Sequence, residues 1–147
     1  MIGGDHAGFE LKGSVADWLR ELGHEVIDVG AFSEEPSDYP DFAAQVGREV
    51  VSGRADRGIV VCGSGAGASI AANKIKGVRC AMTNDHYTAH QCVEHDDANV
   101  ITFGSRIIGE ELAREVVCAF VAAKFSGEQR HVRRLEKVRN LEDDFCK

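Results

Sequence analysis

The chain has 147 residues, of which 44% are hydrophobic, 28% charged and 7% aromatic, and this composition fits one globular domain rather than a disordered or fibrous chain. Its formal net charge of −7 disfavours non-specific binding to nucleic acid or to an anionic membrane surface. Five cysteines without a CxxC pair argue against a disulfide scaffold and a thiolate metal site, so we expect free thiols in a reducing, cytoplasmic compartment. The chain contains no apolar run of membrane-spanning length, and its N-terminus does not resemble a signal peptide.

Short apolar runs rich in Val and Ile alternate along the chain with segments of helical periodicity. The predicted strands are Met1–Ile2, as the end of a strand, then Val26–Val29, Gly58–Val61, Val78–Met82 and Val100–Phe103. Apolar residues recur every three or four positions between them, as at Leu11, Val15 and Leu19, and Gly23 follows this first helix as a C-terminal cap. Further helices are predicted around residues 42–50, 68–74, 112–123 and 130–145.

Strands that are apolar throughout and separated by helices predict a parallel sheet covered on both faces. We therefore expect a Rossmann-like α/β fold, a three-layer sandwich around a five-stranded parallel sheet, with residues 1–147 as a single domain. The last predicted helix has an apolar stripe of Leu135, Val138, Leu141 and Phe145. Such a narrow stripe fits docking on the helix's own domain or packing on a partner subunit.

Glycines gather where the predicted strands end, which is where parallel sheets bind ligands. The most informative segment is Cys62–Gly67, in which Gly63, Gly65 and Gly67 alternate before a helix. Alternating glycines let backbone N–H groups approach an anion, and the positive end of the following helix favours a thiolate at Cys62. A buried cysteine beside a tight turn is the structural alternative.

Other strand ends carry further candidates. Asp5 and His6 follow the first strand, and Arg106 follows the last. Arg130 and Arg134 lie one helical turn apart, an arrangement that suits a phosphate group but also fits a solvated basic face.

Seven short motifs together give the chain a family resemblance. In chain order they are Asp5–Gly8, Asp38–Asp41, Cys62–Gly65, Ile70–Lys74, His95–Val100, Phe103–Arg106 and Arg130–Arg134. They resemble the type B ribose-5-phosphate isomerases, a family that also contains galactose-6-phosphate isomerase subunits. The resemblance spans nearly the whole chain. It implies a sugar-phosphate isomerase of the pentose phosphate pathway that needs neither metal nor organic cofactor, and a homodimer, in some members a tetramer, whose active sites are shared between subunits.

The resemblance also implies a role for each matching residue. Cys62 is expected to be the base that moves a proton between C2 and C1 of the sugar. Ser64 is expected to hold the enediolate oxygen together with the N–H groups of Gly63 and Gly65. His95 would open the furanose ring by protonating its oxygen, and Asp5 would handle the hydroxyl at C1. The remaining substrate contacts are expected from His6, Tyr39, Gly67, Asn99, Arg106, Arg130 and Arg134, with His6 and the arginines on the phosphate.

Three other functions stay open on the sequence. Within the family, the substrate could instead be an aldohexose 6-phosphate such as allose or galactose 6-phosphate. The pattern Gly63-x-Gly65-x-x-Ala68, with Asp85 about 20 residues on, permits a small NAD-dependent oxidoreductase, although it follows the third strand rather than the first. Asp96, where relatives usually carry Asn, and the short first strand permit a phosphate-binding module without catalysis.

Overall fold

The computed structural model describes residues 1–145, apart from the side chain of Phe145. Within this range the sheet consists of four parallel strands, β1 (Ile2–Gly4), β2 (Gly58–Cys62), β3 (Cys80–Met82) and β4 (Val100–Gly104), in the order β1-β2-β4-β3. All residues of the central strands β2 and β4 are buried, which is why both are apolar except for Thr102. β3 lies at one edge and is partly exposed.

Helices cover both faces of the sheet, so the three-layer α/β arrangement is confirmed. Their bounds are α1 (Phe9–Glu21), α2 (Tyr39–Val51), α3 (Ala66–Ala72), α4 (His86–Asp96), α5 (Glu110–Ala122) and α6 (Gln129–Phe145), and a 3-10 turn at His6–Gly8 precedes α1. The larger core joins α1, α4 and α5 to the sheet around Phe103 and Phe120. The smaller core joins α2 and α3 to the opposite face around Val46 and Val60, and Cys62 belongs to it.

The predicted fifth strand is wrong. The segment at Val26–Val29 runs beside β1, and the backbone N–H groups of Ile2 and Val29 bond to carbonyls across the gap at 2.9 Å. Only one residue pair, Ile2 with Asp28, forms a β-bridge. Gly30 then adopts a φ of +103°, which interrupts the regular extended conformation. The Gly4 N–H still donates to the Gly30 carbonyl at 2.7 Å, but no second bridge forms between these two segments. The sheet accordingly ends at β1.

Helix α6 forms as predicted and packs on its own chain at both ends. Near its start Leu135 is buried, and near its end Lys76 pairs with Asp143 at 2.6 Å and the Gly77 N–H donates to Glu142 at 2.8 Å. The middle of its apolar stripe stays uncovered, because Val138 is 50% exposed and Leu141 60%. Docking on the same domain is thus observed, and an apolar surface remains beside it.

The cysteines of the described residues, Cys62, Cys80, Cys92 and Cys118, are free thiols, as expected. Cys146 lies outside the described residues. Between residues 1 and 145, no helix is long and apolar enough to cross a membrane. The same residues contain no group of three or more His, Cys, Asp or Glu side chains arranged to hold a metal ion.

Candidate active site

The carboxyl ends of β1, β2 and β4 meet around a cavity of about 350 Å³. The cavity is lined by Asp5, His6, Ala7, Tyr39, Cys62, Gly63, Ser64, Gly67, Arg106 and Ile107. Eight of the thirteen predicted site residues line it, including the predicted base. Because parallel strands end at the same edge of the sheet, residues far apart in sequence converge there, as the strand assignments predicted.

Cys62 lies at the end of β2 with 5% of its surface exposed. The backbone N–H of Gly65 donates to its Sγ at 3.1 Å. This donor is aimed at the sulfur because Gly65 adopts a φ of +90°, a left-handed conformation that favours glycine. The Gly65 N–H is therefore a hydrogen-bond donor held against the sulfur at the edge of the cavity.

The loop after β4 braces the Cys62 loop from the side. The N–H groups of Ser105 and Arg106 donate to the carbonyls of Cys62 and Gly63 at 2.8 and 3.1 Å. Gly104 makes this approach possible, because a Cβ there would collide with the Ser64 backbone. The two loops therefore form one rigid wall of the cavity.

Arg106 supplies positive charge to this wall. Its side chain is exposed and lies over Gly63, where a Cβ would be 3.5 Å from the guanidinium Nη1. None of the described carboxylates forms an ion pair with Arg106, so its charge is available to an anion in the cavity.

Asp5 and His6 form the opposite wall, in the turn that follows β1. Asp5 is 6% exposed and accepts the N–H of Gly8 at 3.1 Å, which caps the 3-10 turn. The His6 ring is fixed by Ser37, whose backbone N lies 3.1 Å from Nδ1, and the His6 N–H donates to the Ser37 hydroxyl at 3.0 Å. Ser105 ties this turn to the β4 loop, since its hydroxyl donates to the Ala7 carbonyl at 2.6 Å.

Sequence reasoning gave no role to Ser37 and Ser105. Ser105 stands inside the Phe103–Arg106 motif, which was a usable signal. Ser37 lies in a loop without periodicity, and nothing in the sequence connects it to His6, 31 residues earlier.

Tyr39 closes the cavity against the α3 side. It is the first residue of α2, and its ring rests on Gly67, where a Cβ would lie 2.6 Å from the ring carbon Cζ. A side chain at position 67 would displace the ring. The last glycine of the Cys62–Gly67 loop is thus needed for the position of Tyr39.

Five predicted site residues do not line this cavity: Gly65, His95, Asn99, Arg130 and Arg134. Gly65 lies directly behind the cavity wall, since its N–H donates to the Cys62 sulfur. His95 lies at the end of α4, where its ring stacks on His131 of α6. Arg130 pairs with Glu128 at 2.8 Å, and Arg134 is exposed on α6. Within a single chain, the His95 imidazole and the two guanidinium groups form a second group near the start of α6, outside the cavity that holds the thiol.

Asn99 has a different position from the one expected of a substrate contact. Its Oδ1 accepts the Arg79 N–H at 2.8 Å, and its Nδ2 donates to the Gly77 carbonyl at 2.9 Å. Both ends of the amide are therefore used to hold the segment that leads into β3.

Asp85 also has a structural use. Its carboxylate accepts the N–H and the hydroxyl of Thr88, both at 2.7 Å, and caps α4. These hydrogen bonds lower the pKa of Asp85. A carboxylate occupied in this way does not fit the ribose contact that the dinucleotide pattern requires.

The fold and the cavity define a small parallel α/β protein whose thiol, carboxylate and cationic groups face one pocket at the carboxyl edge of the sheet. The chain belongs to the Ribose/Galactose Isomerase family, whose model matches residues 1–138.

Named relatives agree with this assignment. Ribose-5-phosphate isomerase B of Escherichia coli (strain K12) is 45% identical over 141 residues, covering 96% of this chain and 94% of the relative. A structure of ribose-5-phosphate isomerase B from Clostridium thermocellum superposes with a TM-score of 0.96 at 45% identity, over 98% of this chain and 97% of that one. A Mycoplasma genitalium ribose-5-phosphate isomerase B with bound ribulose 5-phosphate has a TM-score of 0.90 at 37% identity, over 97% and 94% of the two chains.

Proposed function

We propose that the chain interconverts D-ribose 5-phosphate and D-ribulose 5-phosphate through a cis-enediolate. The observation that carries this proposal is the Cys62 sulfur, held by the Gly65 N–H in a cavity that also presents Asp5, His6 and Arg106. The relatives named ribose-5-phosphate isomerase B support the same reaction. Family membership and the use of Asp85 as a helix cap do not favour an NAD-dependent oxidoreductase.

Cys62 is the proton-transferring base in this proposal. Its thiolate takes the proton from C2 of the open-chain aldose, and the electron pair of that C–H bond forms the C1–C2 double bond while the carbonyl π electrons move to O1. The thiol then returns a proton to C1, the O2 proton is lost, and the ketone forms at C2. Asp5 carries the proton between the hydroxyls at C2 and C1, so no redox partner is needed.

Negative charge on the enediolate oxygen is stabilised by the Cys62–Gly67 loop. The Ser64 hydroxyl accepts the Ala66 N–H at 3.3 Å, which leaves its own O–H to donate to substrate. The Gly65 N–H bonds to the sulfur before reaction. We therefore assign the enediolate contact to Ser64 and the Gly63 N–H, with Gly65 joining once the thiol carries the proton.

A second copy of the chain completes the site in this proposal. His95, needed to open the furanose ring, and Arg130 and Arg134, which suit the phosphate, lie outside the cavity of their own chain. The half-exposed apolar side chains Val138 and Leu141 offer α6 a surface for a partner subunit. In the homodimer that we propose, these groups lie over the partner's cavity, so that one site contains both the base and the ring-opening acid. We place this homodimer in the cytoplasm, where its thiols stay reduced.

Turnover of ribose 5-phosphate by the purified chain tests the function. We expect its kcat/KM to exceed that for allose 6-phosphate or galactose 6-phosphate by at least about 10-fold, since one extra carbon must be fitted into a cavity of fixed walls. Addition of NAD should leave the rate unchanged. A higher kcat/KM with either hexose phosphate would assign the chain to the hexose branch of the family.

Arg134→Ala is expected to raise KM for ribose 5-phosphate about 10- to 100-fold and to change kcat little, because a charge-assisted hydrogen bond to phosphate is lost. Initial-rate kinetics measure both constants. Arg133→Ala is the matched control, because Arg133 is also exposed on α6 but lies about 100° away around the helix. The KM of the Arg133→Ala variant should stay at the wild-type value. Equal effects of the two substitutions would indicate a general basic face.

Gly104→Ala is expected to lower kcat/KM about 100-fold, because the added Cβ collides with the Ser64 backbone and moves the enediolate-binding loop. Gly13→Ala in α1 is the control, since nothing lies within 4 Å of a Cβ there. The control should keep full activity and gain up to about 1 kcal/mol of stability. Wild-type activity of Gly104→Ala would show that this close packing of the loops is not needed for turnover.

A further inference from the structure

A pair of stacked histidines joins α4 to α6. The ring centroids of His95 and His131 are 4.1 Å apart and their planes are inclined by 28°. His131 is 1% exposed, whereas His95 is only partly buried. One face of the His95 ring is therefore covered by a buried ring of the same chain, and the ring retains contact with solvent.

Hydrogen bonds fix both rings about this stack. The Gln91 side-chain Nε2 lies 2.9 Å from His95 Nδ1, and the Ser126 hydroxyl lies 2.7 Å from His131 Nδ1. Ser126 is itself anchored to α4, since its N–H donates to the Glu94 carbonyl at 3.0 Å. The two helix ends, both rings and the connecting loop are thus linked in one closed set of contacts.

The contact with Gln91 occupies one nitrogen of the His95 ring. Nδ1 lies 2.9 Å from the Gln91 amide, so Nε2 is the ring nitrogen left to meet a substrate. In the proposed ring opening the protonated ring donates its Nε2 proton to the sugar ring oxygen.

The His131 ring is not placed to exchange a proton with a substrate. Its Nε2 is buried and has no hydrogen-bond partner among the described residues. Burial lowers its pKa, the positive groups His95, Arg130 and Arg134 lower it further, and Glu128 opposes them. A neutral ring beneath His95 adds no charge repulsion when His95 is protonated.

We propose that His131 is a positioning residue for His95: it is the buried platform on which the His95 imidazole is oriented for opening the sugar ring. The proposal rests on the proposed function, in which His95 protonates the furanose oxygen in the site it completes. His131 touches neither the sugar nor the phosphate in this role, and acts only through His95.

The test separates ring opening from enolisation. Ribose 5-phosphate is mostly a furanose, so its turnover needs ring opening. Ribulose 5-phosphate is acyclic because its C5 oxygen is phosphorylated, so exchange of its C1 hydrogen with D₂O needs Cys62 but not His95. D-erythrose 4-phosphate is acyclic for the same reason and gives a second readout; one relative, 38% identical over 130 residues, is named D-erythrulose-4-phosphate isomerase.

We expect His131→Ala to lower ribose 5-phosphate turnover about 10- to 100-fold, the usual effect of a misplaced reacting group, and to change the acyclic reactions less than about 2-fold. His131→Phe keeps a ring for stacking and should recover most of the lost turnover. His131→Asn keeps a hydrogen-bonding partner for Ser126 but has no ring, and should stay as slow as His131→Ala. If His131→Ala fails to fold, the comparison of His131→Phe with His131→Asn still tests the positioning role.

His95→Ala is measured in parallel to separate the ring-opening role of His95 from the positioning role of His131. It should lose ribose 5-phosphate turnover selectively, as a ring-opening acid must. Equal loss in the cyclic and acyclic reactions of His95→Ala would overturn its ring-opening role and the positioning role with it. Selective loss in His95→Ala together with unchanged or uniformly reduced rates in the His131 variants would overturn the positioning role alone.

Discussion

Replacing Cys62 by alanine is expected to lower kcat for ribose 5-phosphate by about 10³- to 10⁴-fold while substrate binding is largely kept. The sulfur faces the cavity and accepts the Gly65 N–H at 3.1 Å, and general-base catalysis contributes about 10²- to 10⁴-fold. The residues proposed to bind the phosphate are not altered, so affinity for the substrate should be kept. Steady-state kinetics give the loss in kcat, and calorimetric titration with ribose 5-phosphate gives the affinity.

Cys92→Ala is the matched control for this experiment. Cys92 is 5% exposed, like Cys62, but it packs in the larger core on α4. Burial raises the pKa of Cys92 to about 11, so it stays a thiol near neutral pH. The control should keep wild-type kcat, and near-normal turnover by Cys62→Ala would remove Cys62 from the mechanism.

Mixing two inactive variants is expected to restore activity. In a Cys62→Ala homodimer both sites lack the base, and in a His95→Ala homodimer both lack the ring-opening acid. If each site takes Cys62 from one chain and His95 from the other, the mixed dimer has one site with both groups intact and one with neither. Random exchange of equal amounts should therefore return about a quarter of wild-type activity from two inactive proteins.

Denaturing the two variants together and refolding them gives the mixed dimer, and the ribose 5-phosphate assay measures the recovered rate. Two wild-type samples carried through the same procedure set the 100% value. A mixture that stays as inactive as its components would mean that Cys62 and His95 of the same chain serve one site. That result would leave the isomerase assignment intact and overturn the shared site.

The cavity was predictable because its residues follow buried apolar strands, whose ends must meet at one edge. Asp5, Cys62 and Arg106 were placed together on that basis. The fifth strand failed because Val26–Val29 has the composition of a strand, whereas its pairing depends on Gly30 and on what lies beside β1. Asn99 stands in a matching motif, but its partners at Gly77 and Arg79 are a matter of tertiary structure.

His131 shows a different limit of sequence reasoning. Its spacing from Leu135 places both residues on one helix face, and the structure buries both. The spacing gives no information about α4, whose C-terminal end places His95 against that face. Helical periodicity predicts which side chains turn inward, and only the packing of two helices shows what they meet.

The specific activity of this protein should depend on the protein concentration. Cys62 lines the cavity, whereas His95 and Arg134 of the same chain do not. Under the shared-site proposal, an isolated chain therefore contributes part of one active site and part of another, and it completes neither. Specific activity would then fall on dilution below the dissociation constant of the dimer and recover on concentration, by mass action. A newly synthesised chain would bind no substrate productively until it met a second one, and the cell's supply of active enzyme would rise with the square of the monomer concentration while chains are scarce.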